Sequence, residues 1–234
     1  MDTIAANLQA VQRRIAGAAA AARRPEDDIA LVAVSKTFPR AMVAEAHACG
    51  QRAFGENQVQ EGVRKVAGLL LPSIVWHFIG PIQSNKTRPI AEHFQWVHGI
   101  ERAKIAERLN EARPAAMPPL QVCIQVNVSG EASKSGVPPG AELTLAEAIS
   151  SLPRLKLRGL MAIPAPAPDA TSRRRQFALL RELKDKLVAR GYPLDTLSMG
   201  MSDDLEEAIL EGSTMVRVGS AIFGRRTRRL ETGD

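Results

Sequence analysis

Eight short apolar runs recur along this chain, all but the last followed by a segment with helical spacing, and this alternation restricts the fold more than any other feature. The runs cover residues 29–35, 52–55, 74–79, 94–98, 120–128, 155–163, 195–199 and 215–218. The spacing predicts helices over 41–48, 56–70, 84–92, 100–113, 140–151, 173–190 and 203–211. The first run, Ile29-Ala30-Leu31-Val32-Ala33-Val34, is continuously apolar. That is the pattern of a strand buried on both faces. Strand-then-helix alternation implies a parallel sheet, and eight units favour closure into a (β/α)8 (TIM) barrel. An open doubly wound sheet is the alternative, but no glycine-rich dinucleotide turn follows the first run. Ile4, Leu8, Val11 and Ile15 place an extra amphipathic helix in front, closed by Arg23-Arg24-Pro25. Nothing reads as an interdomain linker, so residues 1–234 are expected to form one domain.

Hydrophobic residues make up 45% of the chain and aromatics only 4%, so the expected core is aliphatic and alanine-rich. Much of the formal charge of +6 lies in Arg173-Arg174-Arg175 and in the tail Arg225-Arg226-Thr227-Arg228-Arg229. These clusters lack interleaved aromatics for base stacking and match no nucleic-acid motif, so they read as solvated surface. Cys49 and Cys123 fit no metal-ligand spacing and have apolar neighbours, which predicts buried free thiols. No H-E-x-x-H, carboxylate cluster or C-x-x-C pair is present, and no metal is expected. Charged and polar residues interrupt the first 22 positions, and no uncharged apolar run approaches membrane-spanning length. The expected compartment is the cytoplasm.

In a barrel of this kind the functional face is the one where strands end. Ser35 and Lys36 stand at the end of the first run. A partly desolvated lysine is a nucleophile able to form an imine with an aldehyde, although a lysine there can also simply mark the strand end and point to water. Glu56 and Asn57 follow the second run. Ser202 is placed as the N-cap of the helix at 203–211, and Gly219 and Ser220 follow the last run. Phosphate groups often bind between the loops after strands seven and eight. An amine across the mouth from such a site points to an aldehyde carrying a phosphate, a description that pyridoxal 5′-phosphate (PLP) fits. Arg217 sits inside an apolar strand, where an unpaired charge is costly. Facing a pyridine nitrogen, it would donate to it and keep it unprotonated; a structural ion pair is the alternative. Asn57 can reach the ring's 3-hydroxyl. His77 and His98 alternate with aromatic or aliphatic neighbours and read as satisfied core histidines. Lys134, in Glu131-Ala132-Ser133-Lys134-Ser135-Gly136, is a second candidate amine on the same face, or a solvated loop lysine.

Seven segments carry a family resemblance: LVAVSKTFP (31–39), FGENQVQE (54–61), WHFIGPIQSNK (76–86), QVNVSGEASKSG (125–136), RGLMAIPAP (158–166), SMGMSDDLEEAI (198–209) and VRVGSAIFG (216–224). Together they resemble the PLP homeostasis proteins, whose barrel is similar to the N-terminal domain of alanine racemase. The resemblance implies Lys36 as the Schiff-base lysine, Asn57 near the cofactor ring and Arg217 at its nitrogen. It places Ser202, Gly219 and Ser220 around the phosphate.

Two classes of function remain: a carrier or buffer that holds PLP and supplies apo-enzymes, or a PLP-dependent racemase. Racemisation by two bases needs a second proton carrier opposite the lysine. In alanine racemases a tyrosine from an additional β domain fills that role. The only tyrosine here, Tyr192, falls between a helix end and a strand start, at the opposite end of the barrel, and no room for such a domain is expected after the eighth run. Holding rather than turnover is therefore the expectation, with a monomer as the state. A Schiff-base aldolase acting on a sugar phosphate is a third possibility, and it predicts no yellow colour in the purified protein.

Overall fold

A computed structural model describes residues 3–71 and 73–224; the arginine-rich tail at 225–229 lies outside the described residues. Eight parallel strands close into a barrel in sequence order, with β8 pairing back onto β1. The strands are β1 (Ala30–Val34), β2 (Ala53–Glu56), β3 (Val75–Phe78), β4 (Trp96–Ile100), β5 (Leu120–Gln125), β6 (Leu155–Met161), β7 (Thr196–Ser198) and β8 (Met215–Val218). The helices are α1 (Ile4–Ala21), α2 (Arg40–Ala48), α3 (Val59–Gly68), α4 (Thr87–His93), α5 (Ala103–Ala112), α6 (Glu142–Ser150), α7 (Ala170–Ala189), α8 (Leu205–Leu210) and α9 (Ser220–Phe223). This is the (β/α)8 TIM barrel that the alternation predicts, with α1 as the extra N-terminal helix. Among the described residues no helix is long and apolar enough to cross a membrane.

The strands are apolar because two layers bury them. Phe54 and Trp76 pack as a ring pair at 5.8 Å, and Phe78 meets Phe94, which follows α4, at 5.4 Å. Their alternate neighbours point to the other face. There the barrel interior holds polar groups: His77, His98, Ser198 and Arg217, all buried. The aliphatic core therefore lies mainly between strands and helices, while the inside of the barrel combines these hydrogen-bonding side chains with Val32 and Val34, which share their face of the sheet.

α1 buries Ile4, Leu8, Val11 and Ile15, as the spacing predicts. It also braces the mouth. Asn7 Nδ2 donates to the Ile222 carbonyl at 2.9 Å, and Arg14 donates to the Ser202 carbonyl at 2.9 Å while gripping Glu206 through two nitrogens. Pro89 is tolerated in α4 because it falls in the first turn, where its missing N–H has no helical partner. α7 begins at Ala170, earlier than the expected 173, because Asp169 caps it by accepting from Ser172 N–H at 2.8 Å.

Two expectations are corrected. Cys123 is buried in β5, and that burial pushes its thiol up to about 12, but Cys49 is exposed. Cys49 is the residue that ends α2, beyond the buried stripe of Val43 and Ala46. Ser202 does not cap α8. The helix starts at Leu205, with Asp204 as its N-cap residue, and Ser202 lies in the preceding turn. Asp204 Oδ1 accepts from Met201 N–H at 2.6 Å, which ties that turn together and moves the helix start past Asp203.

Candidate functional site

Lys36, Asn57, Ser202, Arg217, Gly219 and Ser220 all line one cavity of about 510 Å³ at the C-terminal mouth of the barrel. Such a volume lies within the roughly 300–1,000 Å³ typical of small-molecule sites. Phe38, Ile79, Pro81, Ile163 and Met201 supply apolar walls. Lys134 is not among the lining residues. Its loop, between β5 and α6, is folded on Asn127, whose Nδ2 donates to the Glu131 and Lys134 carbonyls at 2.8 and 3.3 Å.

The close approach of β1 and β8 at this mouth depends on a glycine. A Cβ on Gly219 would stand 3.1 Å from the Val34 carbonyl oxygen and 3.3 Å from Val34 Cβ. The chain can therefore leave β8 directly beside the residues preceding Lys36. Gly200 turns the chain after β7 at φ +94°, a conformation that glycine adopts readily. Its carbonyl accepts from Arg217 N–H at 2.9 Å, which links the turn leading to Ser202 with β8.

The Lys36 segment is fixed from behind by a buried polar cluster. Lys65 Nζ donates to the Ser35 carbonyl (2.6 Å), Glu56 Oε1 (2.8 Å) and Glu61 Oε1 (2.7 Å), using all three ammonium hydrogens. Ser35 Oγ donates to Glu56 Oε1 at 2.6 Å. Burial lifts the Glu56 carboxyl above the usual range, against the pull of Lys65. Glu61 Oε1 also accepts from Thr37 N–H at 2.6 Å, holding Thr37 at φ +69°, an uncommon conformation for a β-branched residue.

Arg217 donates to Ser198 Oγ at 2.6 Å and to the Ala162 carbonyl at 2.9 Å. Both acceptors are neutral. Burial lowers the guanidinium to about 10, with Asp204 pulling the other way, so it remains a cation. His77 and His98 are hydrogen-bonded core residues, as the sequence predicts: His77 Nδ1 lies 3.0 Å from His98 Nε2, and His98 Nδ1 lies 2.8 Å from Ser198 Oγ. Their linkage to Arg217 escaped the sequence reading, since only their inward positions on β3, β4 and β7 reveal it. Across the cavity Ser220 Oγ donates to Ser202 Oγ at 3.1 Å. Asn57 Oδ1 is buried and makes no hydrogen bond. Among the described residues no group of three or more His, Cys, Asp or Glu side chains is placed to hold a metal ion.

These groups fit PLP. An amine lines the same cavity as a pair of hydroxyls and a guanidinium, and the orphaned Asn57 Oδ1 is an acceptor lacking a donor, which a ring hydroxyl would supply.

Residues 2–227 match the family model described as alanine racemase, N-terminal domain. A Pseudomonas aeruginosa protein named pyridoxal phosphate homeostasis protein is 60% identical over 226 residues, 97% of each chain. The structure of PipY from Synechococcus elongatus with PLP bound is similar at a TM-score of 0.83 and 35% identity, covering 95% of this chain and 100% of that one. Alanine racemase from Corynebacterium glutamicum shares the fold at a TM-score of 0.73 and 18% identity, covering 98% of this chain and 62% of the racemase. With these matches along nearly its whole length, the chain belongs to the alanine racemase N-terminal domain family and, within it, to the pyridoxal phosphate homeostasis proteins.

Proposed function

We propose that this protein binds PLP in the cavity at the ends of β1 and β8, with Lys36 holding the aldehyde as a reversible Schiff base. We further propose that it serves intracellular vitamin B6 homeostasis by buffering the cofactor and supplying it to apo-enzymes. The observation that carries this reading is the convergence of Lys36, Arg217, Ser202, Ser220 and the unsatisfied Asn57 Oδ1 on one cavity. The names of the relatives and the PLP in the PipY structure support it.

When bound, the cofactor supplies an electrophilic aldehyde carbon and an electron-accepting pyridine ring. The protein's residues do the rest. Lys36 Nζ supplies the nucleophile. The Ser202 and Ser220 hydroxyls and the open backbone at Gly219 receive the phosphate. Asn57 Oδ1 accepts from the ring hydroxyl. Arg217 donates to the ring nitrogen and keeps protons off it, which weakens the ring as an electron sink and favours holding over turnover.

The family match raises racemase activity as a second reading. A racemase needs a proton carrier opposite the lysine. Tyr192 lies between α7 and β7, on the mouth away from Lys36, and cannot serve. The same reading takes the chain as one domain acting as a monomer in the cytoplasm, where Cys49 and Cys123 persist as free thiols.

The deciding experiment mixes PLP-loaded protein with an apo-enzyme and assays alanine and serine racemisation in parallel. The expected result is activation of the apo-enzyme and no racemisation at ordinary enzyme rates. Robust racemisation that disappears in Lys36→Ala would overturn the carrier reading.

A further inference from the structure

Arg217 terminates a hydrogen-bonded chain that crosses the barrel interior. Ser198 Oγ links its guanidinium to His98 Nδ1, and His98 Nε2 meets His77 Nδ1. The His77 ring stacks on Trp96 at 5.4 Å with 13° between planes. The first link and the single acceptor open to the Ser198 hydroxyl together set the direction of the others. A guanidinium has only hydrogens to give, so Ser198 Oγ accepts from it. His98 Nδ1 is the one acceptor among the described residues found within reach of the Ser198 hydroxyl hydrogen, so that hydrogen goes to His98 Nδ1. That leaves the His98 proton on Nε2, where it is given to His77 Nδ1, and the His77 proton on its own Nε2; these tautomers are assigned from the network. Burial holds His77 down at about 3 and His98 well below its ordinary value, with His77 and the Arg217 charge adding to the second effect. Both rings are therefore neutral, and the chain has a single polarity.

Arginine carries a long side chain with many rotamers. Two acceptors, Ser198 Oγ and the Ala162 carbonyl, take hydrogens from its two terminal nitrogens, and these contacts determine which guanidinium edge is left for the cavity.

We propose that Ser198 and His98 are positioning residues that aim the free guanidinium edge of Arg217 into the cavity, so that the pocket selects an aromatic ring presenting a bare nitrogen lone pair over one with a C–H there. This deepens the cofactor reading above and rests on it. An acceptor atom on the ligand ring meets a donor already held in place, whereas a C–H leaves a buried N–H unpaired.

Two measurements test it. In apo-protein labelled with ¹⁵N, long-range imidazole spectra are expected to show His77 and His98 both carrying their proton on Nε2 at pH 7. An imidazolium, or a proton on either Nδ1, would overturn the assignment. Second, absorbance titrations compare PLP with its 1-deaza analogue, in which C–H replaces the ring nitrogen. Ser198→Ala and His98→Leu are expected to cut the preference for PLP over the analogue by about tenfold, while affinity for the analogue stays within about threefold of wild type. His98→Asn, whose amide oxygen can stand where Nδ1 stood, is expected to recover most of that preference. Equal losses for both ligands, or an unchanged preference in Ser198→Ala, would overturn the proposal while leaving the cofactor reading intact. Wild-type protein that binds neither ring would overturn both. If a variant fails to fold, the wild-type spectra still decide the chain's polarity.

Discussion

Lys65 Nζ lies 2.8 Å from Glu56 Oε1, an ammonium and a carboxylate both shut away from water beneath the segment that carries Lys36. The pair is an anchor. Lys65 also holds the Ser35 carbonyl, and Glu61, which shares Lys65, holds the Thr37 amide. Removing one member leaves a buried charge with no counterpart, a change that costs about 3–5 kcal/mol. Lys65→Met is therefore expected to lower thermal stability strongly. Lys65→Met combined with Glu56→Leu is expected to recover much of that loss yet still bind PLP weakly, because the Ser35 carbonyl is released. Melting curves with parallel absorbance titrations check both halves.

The grip on the phosphate is expected to reside in Ser202 and Ser220, whose hydroxyl oxygens lie 3.1 Å apart at the cavity wall. Hydrogen bonds to a charged acceptor contribute about 1.5–3 kcal/mol each, so the double change Ser202→Ala/Ser220→Ala should weaken PLP by more than about tenfold. Pyridoxal without its phosphate should bind wild type and double variant alike. Titrating both ligands separates loss of the phosphate site from general damage to the pocket.

Gly219→Ala tests the close approach of β8 to β1. The added methyl would press on the Val34 carbonyl oxygen at 3.1 Å, and overpacking of this kind costs about 1–3 kcal/mol. A lower melting temperature is expected, together with a loss of PLP affinity, since Val34 lies two residues before Lys36. A Gly17→Ala control, inside α1 where the new Cβ meets nothing within 4 Å, is expected to leave PLP affinity unchanged and to raise the melting temperature slightly, since alanine favours a helix interior over glycine.

Stability should fall on mild acidification. His77 has a folded value of about 3 against an ordinary 6.5. A depressed folded pKa contributes stability that is fully present above the unfolded value and is lost as pH falls toward the folded one. Between pH 6.5 and about 5, each buried histidine should withdraw up to about 1.4 kcal/mol per pH unit. His98, also held low, acts with the same sign, and Glu56, raised by burial, acts with the opposite one. Replacing one ring by His77→Phe should therefore flatten the slope by about one proton without abolishing it. Denaturant melts at a series of pH values measure this directly.

The barrel was legible in the sequence because parallel strands covered on both faces must be apolar throughout, and runs such as Ile29 to Val34 have few other uses. That the candidate residues would meet was legible because a barrel gathers its strand ends on one face, and Lys36, Asn57, Ser202, Arg217, Gly219 and Ser220 do line one cavity. Boundaries were less visible. The apolar run at 120–128 continues past the last β5 residue, Gln125, because Val126 and Val128 stay buried after the ladder has thinned to a single bridge between Val126 and Val137. Ser202, Asp203 and Asp204 are all residue types that cap helices, and composition could not show that Asp204 would take the position. The link from His98 to Ser198 spans 100 residues, and only the closed sheet brings the two together.

The central claim is a covalent bond at one amine. Protein mixed with PLP, reduced with borohydride, digested and mapped by mass is expected to carry the pyridoxyl adduct on Lys36, and Lys36→Ala is expected to lose both the adduct and the visible absorbance. An adduct confined to another lysine such as Lys134, or none in wild-type protein that still binds PLP, would contradict the account.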